Sequence, residues 1–180
     1  EAQCVELLLK EQTEKPLATI QDRDGDTPLH TFFIPPYLGD GFKYDTEKAL
    51  EMLTLVLKSR VDYTLINKRG ETALHCAVKQ FSFIPEFNVA RAQFLKALVE
   101  HNACLDVTNH EGETPLHSIF INSGGSNTEM CRVLLDLGAN PDPRNNLGET
   151  PLHYAVMHKE YNDSNYPSRI YAINALCAHK

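Results

Sequence analysis

Four nearly identical heptads recur in this chain: DGDTPLH ending at His30, RGETALH at His75, EGETPLH at His117 and LGETPLH at His153. Their threonines, Thr27, Thr72, Thr114 and Thr150, lie 45, 42 and 36 residues apart. A chain that writes one local structure four times builds it four times. A unit of this length cannot bury its own apolar face, so the units are expected to stack on one another.

The residues around each motif specify a turn followed by a helix. Gly25, Gly70, Gly112 and Gly148 stand two residues before the threonines and supply a turn. Each threonine is placed to act as N-cap. Pro28, Pro115 and Pro151 occupy the first helical position, where a missing N–H costs nothing. Asp26, Glu71, Glu113 and Glu149 bring negative charge to the helix N-terminus, which the helix dipole favours. A second, amphipathic helix follows in every unit: TEKALEMLTLVLKS, ARAQFLKALVEH, TEMCRVLLDLG and SRIYAINALCAH. Asn102 and Gly138 suit the left-handed position after two of them.

GANPDPRNNLGETPLHYAV from Gly138 and NACLDVTNHEGETPLHSIF from Asn102, with RVDYTLINKRGETALHCAV from Arg60 as a looser match, resemble the ankyrin-repeat family. The resemblance covers nearly the whole chain. It implies an all-α ankyrin-repeat solenoid: helix–turn–helix units joined by β-turn or hairpin loops, here with extended inter-helix loops. A single domain over 1–180 is expected, with a partial leading repeat at 1–26 and successive repeats at 27–71, 72–113, 114–149 and 150–180, the last one truncated. Against a family period of about 33 residues, the extra residues fall between the two helices of each unit, as IPPYLGDGFKYD, KQFSFIPEFNV, INSGGSN and MHKEYNDSNYPS. Both ends are incomplete, so flanking repeats or domains are expected in the native chain.

Composition narrows the function. A net charge of −7 argues against non-specific nucleic-acid binding and against an acidic membrane surface. The apolar runs are too short to insert into a membrane. Five cysteines, odd in number and without a CxxC pair, argue against a disulfide framework or a zinc knuckle and suit an intracellular location, cytoplasmic or nuclear.

Catalysis is not expected. The chain has no GxSxG, no phosphate-binding loop and no HExxH. The resemblance gives His30, His75, His117 and His153 a structural role, tying adjacent turns through their rings. His101, His110, His158 and His179 belong to no metal-binding pattern, so neither a metal nor another cofactor is expected.

Protein recognition is the expected function, and the resemblance gives it an address on the concave groove of turn tips and first helices. Carried over by position, the candidates are Arg23, Asp24, Asp26 and Ile34; Lys68, Arg69, Glu71, Lys79 and Gln80; His110, Glu111, Glu113, Ile121 and Asn122; and Asn146, Leu147, Glu149, Met157 and His158. The inserts carry Tyr37, Phe42, Tyr44, Phe81, Phe83, Phe87, Tyr161 and Tyr166, which are expected either to anchor a second interface or to fold back and cover one another. The alternative to a self-sufficient scaffold is the targeting domain of a larger enzyme or secreted effector. Two departures from the family pattern bear on the groove. Phe32-Phe33 and Ile119-Phe120 replace paired alanines and are expected to push first helices apart or re-aim them, and Arg60 replaces a C-cap glycine.

Overall fold

A computed structural model describes residues 19–32, 46–58, 61–79, 85–101, 103–121, 128–157 and 166–178. Among them lie the helices α1 (Pro28–Thr31), α2 (Thr46–Lys58), α3 (Ala73–Lys79), α4 (Pro85–Glu100), α5 (Pro115–Ser118), α6 (Thr128–Asp136), α7 (Pro151–Met157) and α8 (Tyr166–Ala178). The described residues contain no strand. Odd-numbered helices pack side by side in one row, α1 on α3, α3 on α5 and α5 on α7. Even-numbered helices form a second row, α2 on α4, α4 on α6 and α6 on α8, and the rows meet where α3 touches α4 and α7 touches α8. This is an all-α solenoid.

The motif leucines explain the stacking. Leu29, Leu74 and Leu116 are buried in the seam between the rows, together with Ala77, Val78 and Ile119. From the second row come Leu53, Phe94, Leu95, Leu98, Met130, Leu134, Ala172 and Leu176. Each fully buried Leu or Phe contributes about 1.5–3 kcal/mol. Phe32 stacks on Phe94 with ring centroids 6.2 Å apart, which joins the first unit to the second.

Local sequence sets where helices begin and end. Gly138 follows α6 with φ +96°, and the Ala139 N–H reaches back 3.0 Å to the Leu134 carbonyl, the geometry of a left-handed cap. Two second helices start earlier than the apolar spacing predicts. The α4 helix begins at Pro85, taking in part of KQFSFIPEFNV, and α8 begins at Tyr166, before SRIYAINALCAH. Pro85 in the first helical position and Glu86 beside it initiate α4, while Pro167 sits in the first turn of α8. The stretches holding Phe87 and Tyr166 are therefore helical rather than loop.

Bulk after the motif coincides with shorter first helices. Where Ala-Val follows, α3 and α7 run for seven residues; beside Phe32 and Ile119-Phe120, α1 and α5 stop after four. Ile119 and Phe120 turn into the core, and the Phe120 N–H closes a tighter bond to the His117 carbonyl at 3.0 Å. Phe33, Arg60 and Asn102 lie outside the described residues.

Candidate interaction surface

Each motif is preceded by a turn closed by the residue five positions before its threonine. Asn67, Asn109 and Asn145 are buried. Each of their backbone N–H groups donates 2.9 Å to the carbonyl four residues on, at Glu71, Glu113 and Glu149. Each Asn Oδ1 accepts two further backbone N–H groups: Arg69 and Glu71, Glu111 and Glu113, Leu147 and Glu149, all at 2.8–3.0 Å. Asp22 does the same for Asp24 and Asp26 in the first tip. Short Asn and Asp side chains favour this arrangement because they hydrogen-bond backbone two residues on without losing the turn.

Successive tips are bonded into a rail. The Lys68 N–H donates to the Asp24 carbonyl at 2.9 Å, His110 to Arg69 at 3.2 Å, and Asn146 to Glu111 at 2.9 Å. Close approach of the tips depends on glycine. Gly70 and Gly112 hold φ near +75°, and a Cβ there would stand 2.7 Å from the His110 nitrogen and 2.8 Å from the Asn146 nitrogen.

The motif histidines complete the linkage. In His30, His75 and His117, Nδ1 accepts the N–H of the motif threonine at 3.1–3.2 Å, and Nε2 lies 2.9–3.1 Å from the carbonyl of Glu71, Glu113 or Glu149 in the next tip. A carbonyl only accepts, so Nε2 carries the proton and the ring is neutral. Burial pushes the His75 imidazole down to about 4 and lowers that of His117. His153 makes the same Nδ1 contact at 3.1 Å.

The candidate residues separate on this frame. Arg23, Asp24, Lys68, Arg69, His110, Glu111, Asn146 and Leu147 are exposed on the tips, Leu147 by 81%. Asp26 is half-buried and accepts the Asn67 side-chain amide at 2.8 Å. Lys79, Ile121 and Glu149 are partly exposed, and Met157 is 63% exposed at the end of α7. Glu71 and Glu113 differ from the groove-surface expectation: they are 1% and 8% exposed, and their carboxylates serve the repeat itself. Glu71 binds Lys79 through Oε1 and Arg69 through Oε2 at 2.7 Å. Burial would raise its carboxyl, but the two cations outweigh burial and hold it at about 2. Glu113 receives the Asn109 amide at 2.8 Å and the Tyr154 hydroxyl at 2.6 Å. Position within the repeat placed both glutamates on the tip but could not say which way they face. Ile34, Gln80, Asn122, His158, Tyr37, Phe42, Tyr44, Phe81, Phe83 and Tyr161 lie outside the described residues, as do the side chains of Phe87 and Tyr166.

Three groups that hold the surface in place from beneath stand outside the motif. The tip asparagines had a signal, since Asn67, Asn109 and Asn145 all stand five residues before a motif threonine. Tyr154 links the third and fourth tips from a position the repeat leaves variable. Arg91, 1% exposed in α4, donates through Nε and Nη2 to the carbonyls of Ala77 and Val78 at the end of α3. Nothing in its local sequence separates it from a solvated helix arginine.

No helix among the described residues is long and apolar enough to cross a membrane, and they form no cluster of three or more metal-ligating side chains. A family model for ankyrin repeats (3 copies) matches residues 86–166. The nuclear factor NF-kappa-B p105 subunit of Gallus gallus is 32% identical over 135 residues, 74% of this chain, and the chain spans 11% of that protein's length. Ankyrin repeats are generally non-catalytic protein–protein interaction modules. The four registered motifs, the tips bonded through histidine and asparagine, the two rows of helices and these matches make the chain a member of the ankyrin-repeat family.

Proposed function

We propose that this chain recognises another protein through the rail of turn tips and the adjoining ends of the first helices, without catalysis of its own. One observation carries the reading: exposed side chains of four consecutive tips are held in register by backbone bonds from Lys68 to Asp24, His110 to Arg69 and Asn146 to Glu111. A surface fixed in this way loses little conformational entropy when it binds. Its mixed charge, basic at Lys68-Arg69 and acidic at Asp24 and Glu111, suits a protein segment better than a polyanion. Cys76, Cys104, Cys131 and Cys177 are free thiols, in keeping with a reducing, intracellular setting, cytoplasmic or nuclear.

Affinity capture from cell lysate tests this. Lys68→Ala, His110→Ala and Leu147→Ala combined should reduce recovery of a captured partner at least fivefold while helical content is unchanged. Undiminished recovery would remove the tips from recognition. Loss instead with Phe81→Ser, Phe83→Ser and Phe87→Ser would move the site to the insert surface, which includes Tyr37, Phe42, Tyr44, Tyr161 and Tyr166.

A second reading makes the chain the targeting domain of a longer enzyme or effector. It is favoured by the matched relative, of which this chain spans only 11%. A native transcript encoding motifs of another class beside these repeats would support it.

A further inference from the structure

The second repeat differs from its neighbours at two equivalent positions. Three residues before the motif threonine stand Asp24, Arg69, Glu111 and Leu147; seven residues after it stand Ile34, Lys79, Ile121 and Met157. Only the second unit places a cation at both. Both cations are seated on one carboxylate, Lys79 on Oε1 of Glu71 and Arg69 Nε on Oε2. Hydrogen-bond lengths then put the two cationic groups within about 8 Å of each other. Glu71 is 1% exposed, whereas the Arg69 and Lys79 side chains are 65% and 18% exposed, so solvent reaches the cations and not the anion.

The charge around this pair leaves room for one more anion. Arg69 and Lys79 share the single carboxylate of Glu71, and the Asp26 carboxylate that also acts on Arg69 is engaged by the Asn67 amide. The Arg69 guanidinium uses Nε on Glu71, which keeps the fork between its terminal nitrogens directed away from that bond. Past this pair the row turns apolar. Helix α3 packs on α5 and α5 on α7; beyond α5 stands the partly exposed Ile121, and α7 ends at Met157, 63% exposed with Val156 59% exposed beside it. Neighbouring helices lie about 8–10 Å apart. An extended chain covers that distance in about three residues.

We propose that the second repeat receives an anionic side chain of an extended protein segment on Arg69 and Lys79, and that apolar side chains three and six residues along the same segment lie against Ile121 and Met157. This rests on the recognition-module reading above and names the partner's chemistry: one carboxylate or phosphate, then two apolar residues at three-residue intervals. Buried Glu71 positions the two cations. Arg69 and Lys79 touch the anion; Ile121 and Met157 set the register.

The test uses fluorescent nine-residue peptides of glycine and serine carrying one glutamate and leucines three and six residues from it, made in both chain directions. Matching peptides carry glutamine or phosphoserine in place of glutamate. Anisotropy titrations of the intact chain should show the glutamate peptide, in one direction, binding at least tenfold more tightly than its glutamine form. The advantage should shrink as salt is raised. Arg69→Met and, separately, Lys79→Gln should abolish the advantage, while Met157→Ser should weaken the glutamate and glutamine peptides alike. Arg69→Met leaves Glu71 paired with Lys79, so it provides a folded variant if Lys79→Gln does not fold. A phosphoserine peptide that binds more tightly than the glutamate one, and is displaced by inorganic phosphate, would assign the site to phosphate rather than carboxylate. Equal binding of glutamate and glutamine peptides, an advantage that survives Arg69→Met, or no binding by any peptide would overturn the inference. The lysate capture with tip variants is scored separately, so a recognition module with a different partner chemistry remains distinguishable from no module at all.

Discussion

The Tyr154 hydroxyl donates to Glu113 Oε1 across 2.6 Å, while the Asn145 amide donates to the same hydroxyl at 3.0 Å. A side chain of the fourth unit thereby satisfies a carboxylate of the third, and the Tyr154 ring stands edge-on to His117 with centroids 5.4 Å apart. Burial first, and the bond to Glu113 second, push the phenol up to about 12. Tyr154→Phe keeps the ring and removes the bridge. It should cost about 1–3 kcal/mol, because Glu113 is left under-satisfied in a buried site. Glu113→Gln in the Tyr154→Phe background should recover part of the loss, read from urea midpoints in a double-mutant cycle.

Stability should fall as the medium is acidified, beginning in the histidine range. Folding depresses His75 from the ordinary 6.5 to about 4, so between those values the unfolded chain binds the extra proton. The contribution is complete above pH 6.5 and is lost as pH falls towards 4, on the order of 3 kcal/mol in total. Glu71, depressed from 4.5 to about 2, adds a second loss that begins only below pH 4.5. Unfolding free energies measured at intervals of pH should therefore decline before the carboxylates titrate. A flat profile from pH 7 to pH 5 would exclude neutral His75 as the cause.

The tip glycines should not be equivalent. Gly148 holds φ +78° with nothing within 4 Å of an added Cβ, so Gly148→Ala should cost only the left-handed backbone penalty of about 1 kcal/mol. Gly70→Ala meets the same penalty and also drives a methyl to 2.7 Å from the His110 nitrogen. Thermal unfolding of the two variants should differ by at least a further ~1 kcal/mol. Equal losses would mean the tips tolerate separation.

Arg91→Met should destabilise the stack although it lies in a second-row helix. It removes the donors that hold the Ala77 and Val78 carbonyls at 2.8–3.1 Å near the end of α3. The expected loss is about 1–3 kcal/mol, the scale of removing hydrogen bonds from a charged donor. Burial pulls the guanidinium down to about 10, so it remains charged at neutral pH. Hydrogen exchange should show faster opening at the end of α3 in the variant, ahead of α7.

The amino-acid sequence by itself determined the repeat, its register and the row to which each helix belongs. Turn glycine, capping threonine, helix-starting proline and inward leucine act within a few residues of one another, and their preferences are settled by local backbone geometry. Tip asparagines were equally local and could have been found from their constant spacing before each threonine. Other features depended on what the neighbouring unit brings. Glu71 and Glu113 occupy the same place in the repeat as Glu149 and all three receive a tip asparagine amide, yet two of them are buried, and contacts with Arg69 and Lys79 or with Tyr154 set those two apart. Arg91 reads as a solvated helix arginine until α3 presents its carbonyls, and Phe120 reads as an obstruction until the core receives it. Burial of a polar group is set by the sum of its partners, many of them some 40 residues away, such as Tyr154 from Glu113. Such a sum exists only once the units have stacked.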